Sequence, residues 1–120
     1  MKNILLIVDP QNDFITGSLA VEGAKEKMMK LAEYINGDHP SYDYVCVTMD
    51  THPEDHCSFK ENGGIWPTHC VEGTWGAEIP NSMLNIGEWD IYSKGQFIHL
   101  EEYGAFEEYD DLLSAIKSVL

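Results

Sequence analysis

The first apolar block, Ile4-Leu5-Leu6-Ile7-Val8, runs without alternation and stops at Asp9-Pro10. Five residues are short for a buried helix, and an unbroken aliphatic run suits a strand covered on both faces, as in a parallel sheet. After a loop containing Gly17 and Gly23, residues 25–36 space Met28, Leu31, Ala32 and Ile35 at helical intervals, with Gly37 at the expected C-cap. Residues 44–49 are rich in strand formers and run into Asp50, which predicts a second strand that also ends in an acid. Residues 89–93 predict a short third strand ending at Lys94-Gly95. Leu112, Leu113, Ile116, Val119 and Leu120 outline an amphipathic helix, with Asp110 and Asp111 at its start and Lys117 near its end, the charge order that the helix dipole favours.

Between the second and third strands, residues 50–87 hold no sustained period and are punctuated by Pro53, Gly63-Gly64, Pro67, Gly73, Gly76 and Pro80. Loops this long in a compact domain are usually functional or disordered. His52, His56, His69, Trp66 and Trp75 favour function. Strands alternating with helices imply an α/β fold with right-handed crossovers, a parallel sheet and helices on both faces.

Composition narrows the functions open to such a fold. The 120 residues allow one small domain, and 43% hydrophobic content supplies a core. A formal charge of −14 disfavours nucleic acid and anionic membranes, because both must be met with cations. The longest aliphatic run falls far short of the ~20 residues that cross a bilayer and of a signal-peptide core. The expected address is therefore cytoplasmic, and Cys46, Cys57 and Cys70 are expected as reduced thiols.

In an open α/β sheet the working site lies beyond the carboxyl ends of the strands. Here those ends carry Asp9, Asp50 with His52, and Lys94. Residues i and i+2 of an extended chain point the same way, so Asp50 and His52 can face one cation. A third ligand must then come from the long loop, where His56 and His69 are the candidates. Two histidines and a carboxylate with open positions suit zinc, iron or manganese. Lys94 and Asp9 become neighbours if the first and third strands border one cleft, where such a pair can stabilise a thiolate and handle its proton. Phe14 and Trp66 offer walls for a flat ligand.

These residues, in this order, resemble the isochorismatase-like cysteine hydrolases, and within them the nicotinamidase branch. Leu5-Leu6-Ile7-Val8-Asp9-Pro10-Gln11-Asn12-Asp13-Phe14 with Gly17-Ser18-Leu19-Ala20-Val21 is similar to the family's opening motif. Asp50-Thr51-His52-Pro53 with Asp55-His56 and Ser58-Phe59 is similar to its second. Trp66-Pro67-Thr68-His69-Cys70-Val71 with Gly73-Thr74 and Gly76-Ala77-Glu78 resembles its third, and Lys94-Gly95 with Tyr103-Gly104-Ala105-Phe106 its fourth.

The resemblance implies Asp9 as catalytic acid/base with Lys94 as its partner, and Asp50, His52 and His69 as metal ligands, with His56 a fourth that some members use. It implies Phe14 and Trp66 as substrate-stacking walls, a divalent metal, zinc foremost, and hydrolysis of a small amide such as nicotinamide to the acid and ammonia. In the family the nucleophilic cysteine follows a segment like Gly-x-Ala-Thr-Asp-x-Cys-Val, beyond the fourth strand. The 120 residues contain no such segment. The expected fold is thus a three-layer, Rossmann-like parallel sheet in a single isochorismatase-like domain spanning residues 1–120, truncated after the third strand and the helix that follows. Cys46 is expected to be buried and inert in the second strand. The alternative is a non-catalytic half-domain that binds metal or a small molecule and forms a homo-oligomer, or docks on a partner, through the sheet edge beside the first strand.

Overall fold

Strands β1 (Ile4–Val8), β2 (Tyr44–Asp50) and β3 (Asp90–Lys94) pair in parallel in the order β1-β2-β3. The computed structural model describes residues 1–83, 89–103 and 111–120. The predicted Asp110 and the Gly104-Ala105-Phe106 motif lie outside the described residues. Register sets Ile7 beside Val47, Val8 beside Thr48, and Asp50 beside Lys94. Because side chains alternate faces along a strand, the last pair puts an acid and a base side by side at the carboxyl edge.

Helix α1 (Asn12–Ile15) is a single turn that no apolar period announces, followed by α2 (Ala24–Asn36) and, near the end, α3 (Asp111–Val119). Gly37 does stand at the C-cap of α2, but it is extended (φ −100°) rather than left-handed. Among its described residues, the long segment after β2 holds three short 3-10 turns, Lys60–Asn62, Trp75–Ala77 and Asn81–Met83, and two isolated bridges, His52 with Val71 and Phe59 with Trp66.

The core is a contact between α2 and one face of the sheet. Ile35 packs with Ile7 and Val47, and Leu5, Leu31, Ala32 and Met49 surround them. Full burial of each of the three central side chains contributes about 1.5–3 kcal/mol. On the opposite face of β1, Leu6 and Val8 are 36% and 62% exposed. Among the described residues, β1 is therefore covered on one face, by α2, rather than on both. None of the described helices is long and apolar enough to cross a membrane.

Candidate functional site

The site assembles because the ladder continues beyond the strand ends. Thr51 N–H donates to the Lys94 carbonyl (2.9 Å), and Gln11, fully buried, clasps the Asp50 backbone from the other side. Its Oε1 accepts from Asp50 N–H (2.8 Å), while its Nε2 donates to the Asp50 and Ala77 carbonyls (2.7 and 2.9 Å). His52 N–H donates to the Cys70 carbonyl (3.0 Å) and Glu72 N–H to the His52 carbonyl (2.9 Å), which brings His69 alongside.

Second contacts aim the rings. His52 Nδ1 donates to the Gly95 carbonyl (2.8 Å), and His69 Nδ1 donates to the Pro67 carbonyl (2.7 Å). A carbonyl can only accept, so each neutral imidazole presents the lone pair of Nε2. Gly95 is needed for this: its φ is +71°, and a Cβ there would lie 2.4 Å from the His52 ring. Both Nε2 atoms face Asp50 Oδ2, at 3.6 Å from His52 and 3.8 Å from His69. Two lone pairs and a carboxylate oxygen thus converge with no proton between them unless an imidazole is charged.

That arrangement asks for a cation. Ligand atoms of Asp50, His52 and His69 all lie within 4.8 Å of one another, and all three residues are buried. Donors about 2.0–2.2 Å from a tetrahedral ion stand about 3.4 Å apart, so the observed gaps fit a divalent metal with small adjustments. Electrostatics agree. Burial would raise the Asp50 pKa, yet the His52 and His69 imidazoles and the Lys94 ammonium hold it well below the carboxylate range. Burial disfavours a charged His69, yet Asp50 and the Pro67 carbonyl raise its pKa, so the position favours positive charge.

Beside this triad Lys94 Nζ bridges two carboxylates, Asp9 Oδ2 at 2.8 Å and Asp50 Oδ1 at 2.5 Å. Burial opposes its charge, but Asp50 and Asp9 outweigh it and keep the pKa raised. Asp9 adopts a left-handed conformation, φ 46°, which costs a non-glycine residue about 1–3 kcal/mol. It is held there by its N–H on the Thr48 carbonyl (3.0 Å) and by the Thr48 hydroxyl, which donates to Asp9 Oδ1 (2.7 Å).

The eight side chains given site roles from the sequence, Asp9, Phe14, Asp50, His52, His56, Trp66, His69 and Lys94, border one cavity of about 330 Å³, whereas Trp75 does not line it and is largely exposed. His56 is nonetheless set apart from the ligand group. Its Nε2 donates to the Leu100 carbonyl (2.9 Å), and its Nδ1 accepts from the Ser58 hydroxyl (2.8 Å). Burial and the neighbouring His52 lower its pKa, so it serves as a neutral strut, its ring tilted against that of His52 with centroids 4.1 Å apart. Phe14 packs against His69 at 5.7 Å. Trp66 Nε1 donates to the Tyr103 hydroxyl (3.3 Å), which donates to Glu101 (2.9 Å). Sequence reasoning left Gln11, Thr48, Glu101 and Tyr103 without roles. Gln11 and Tyr103 sit inside the family-like motifs, but no spacing rule assigns them a partner.

The three thiols are free. Cys46 is fully buried in β2 with its sulfur 3.8 Å from the Leu5 carbonyl, and burial followed by Asp90 raises its pKa. Cys70 is fully buried against the Gly76 carbonyl (3.9 Å), and burial followed by the charges of Asp50, Asp13 and Asp9 pushes its thiol far up. A thiol so raised yields little thiolate, the species that attacks. In native buffer, iodoacetamide should therefore modify only the half-buried Cys57, with Cys46 and Cys70 labelled after unfolding. Rapid native labelling of Cys70, read by peptide mass, would contradict this account.

No protein-family model matches the chain. The nicotinamidase/pyrazinamidase of Mycobacterium tuberculosis is 36% identical over 111 residues, which cover 89% of this chain and 58% of that protein. The crystal structure of PnC1 from L. infantum in complex with nicotinate superposes with a TM-score of 0.89 at 31% identity, covering 98% of this chain and 62% of that one. The pyrazinamidase of Pyrococcus horikoshii in complex with zinc superposes with a TM-score of 0.78 at 34% identity, covering 98% of this chain and 65% of that one. The chain spans about three fifths of the length of the curated relatives it matches.

Proposed function

Since this chain belongs to the isochorismatase-like family that includes the nicotinamidases, we propose that residues 1–120 are the amino-terminal portion of one such domain and carry the metal and substrate half of an amide hydrolase site. The observation that carries this reading is the convergence of three buried ligand residues, Asp50, His52 and His69, beside the Asp9–Lys94 pair in one cavity. The zinc of the Pyrococcus horikoshii pyrazinamidase structure and the nicotinate of the L. infantum structure support zinc and a pyridine carboxamide here.

Asp50, His52 and His69 would hold the metal, which supplies Lewis-acid polarisation to a ligand or water in the positions the protein leaves open. The rest of the chemistry belongs to side chains. Phe14 and Trp66 border the cavity and present aromatic surface to a flat ring. Its volume, at the low end of the roughly 300–1,000 Å³ usual for ligand sites, suits a small amide. Asp9, fixed by Thr48 and Lys94, can take a proton at Oδ2 from an attacking thiol and return it to the departing ammonia. Lys94 stabilises the negative charge that this exchange leaves behind.

The thiol itself is not furnished by Cys46, Cys57 or Cys70, none of which borders the cavity. The purified chain with zinc should thus bind nicotinamide in calorimetry yet release no ammonia above background. Steady ammonia release by the 120-residue chain would refute the assignment of the nucleophile to residues outside it. The free thiols fit a reducing, cytoplasmic address. A second reading, a binding half-domain that self-associates, is favoured by β1, which pairs with β2 alone among the described strands and exposes Leu6 and Val8 on the face away from the core.

A further inference from the structure

Asp13 is a buried carboxylate that the mechanism does not use. Among the described residues no basic side chain pairs with it. Its partners are backbone N–H groups instead. Oδ2 accepts from Cys70 N–H at 2.8 Å, and Oδ1 accepts from Ser18 N–H at 3.2 Å.

The chain makes unusual room for this carboxylate. A Cβ at Gly76 would lie 2.0 Å from Asp13 Oδ2, and one at Gly17 would lie 2.2 Å from Oδ1. Real side chains never approach so closely, so two glycines from separate segments close around one acid. Cys70, whose N–H the acid holds, is also one of two non-glycine residues with positive φ among the described residues, at 49°. Such a conformation persists only where its surroundings over-determine it. A charge-assisted bond to the amide of that residue is a strong constraint of this kind.

The constrained peptide joins His69 to Cys70. Its orientation sets the direction of the His69 side chain, whose Nδ1 is fixed separately by the Pro67 carbonyl. On the far side of the same residue, the Cys70 carbonyl accepts from His52 N–H at 3.0 Å. One carboxylate thereby ties the backbones of two proposed ligands together.

We propose that Asp13 is a positioning residue for the metal centre, holding the His69–Cys70 peptide so that His69 Nε2 meets Asp50 and His52. This rests on the reading of the three residues as metal ligands. Asp13 touches neither metal nor substrate, so its removal should act through geometry. Changes in such outer partners typically weaken metal binding about 10–100-fold.

Cobalt(II) offers a probe in which affinity and coordination geometry are read together. Asp13→Asn in the 120-residue chain should bind Co2+ at least about tenfold more weakly than wild type and alter the visible absorption of the bound ion. Gly76→Ala, which leaves the acid in place but crowds it, should do the same. Ile35→Val, a core change away from the site, should lower stability and leave both readouts unchanged. Unchanged affinity and spectrum in folded Asp13→Asn or Gly76→Ala overturn the positioning role while leaving the metal site standing. Failure of the wild-type chain to take up Co2+ or Zn2+ overturns the metal reading and this role with it. Should neither variant fold, the Cys70 amide of the wild type decides by NMR. It is expected downfield, protected from exchange and displaced on Zn2+ titration, and a rapidly exchanging amide indifferent to Zn2+ overturns the role.

Discussion

Replacing Lys94 by methionine is expected to destabilise the metal-free chain by about 3–5 kcal/mol, the cost of leaving buried charges without their counterion. Lys94 is only 4% exposed, and its ammonium sits between Asp9 and Asp50. Methionine retains much of the packing of the lysine stem but leaves two carboxylates facing one another. Urea unfolding of the metal-free variant measures the loss. Zinc should return part of it, because an ion on Asp50 supplies positive charge to one of the stranded acids. A ligand at 100 times its dissociation constant stabilises by about 2.7 kcal/mol, so the rescue is measurable. A variant as stable as wild type without metal would show that the lysine bridge is an exposed, screened contact rather than a buried one.

The second large effect concerns Asp50 itself. Asp50→Ala removes the one oxygen that both Nε2 atoms face, and with it the only anionic member of the ligand group. Zinc affinity should fall by at least about a hundredfold, the upper range for loss of even an outer partner. His56→Ala makes the contrast. Its ring nitrogens are engaged by Leu100 and Ser58, so that substitution should loosen the segment containing Leu100 and leave zinc stoichiometry intact. Competition titration with a chromogenic chelator reports both. Equal losses from the two substitutions would place His56 among the ligands.

Much of this site is legible in the order of residues alone. An aliphatic run that stops at Asp9, a β-rich run that stops at Asp50 and a short one that stops at Lys94 already suggest three charges on one sheet edge; the register sets Asp50 beside Lys94, and the lysine reaches Asp9 as well. The period-2 rule also puts His52 on the side of Asp50. Other features depend on contacts that no local pattern encodes. Whether His56 or His69 completes the triad is decided by the bridge between His52 and Val71, which lie far apart in sequence. Gln11 and Asp13 act through backbone groups of Asp50 and Cys70, and hydrogen bonds to backbone leave no trace in residue type. The apolar run of β1 suggests two covered faces because hydrophobicity records what a strand can bury. It does not record which neighbours are at hand, and Val8 remains exposed. Gly37 marks the helix end correctly while its conformation is set by the turn that follows.

If Asp50, His52 and His69 form one metal site beside Asp9 and Lys94, the isolated chain binds a single ion there. The most direct measurement is a zinc titration of the metal-stripped wild-type chain by calorimetry, paired with elemental analysis after gel filtration. One zinc ion per chain, lost in Asp50→Ala, is the predicted result. A wild-type chain that emerges without zinc, or that binds it equally well after Asp50→Ala, would contradict the account.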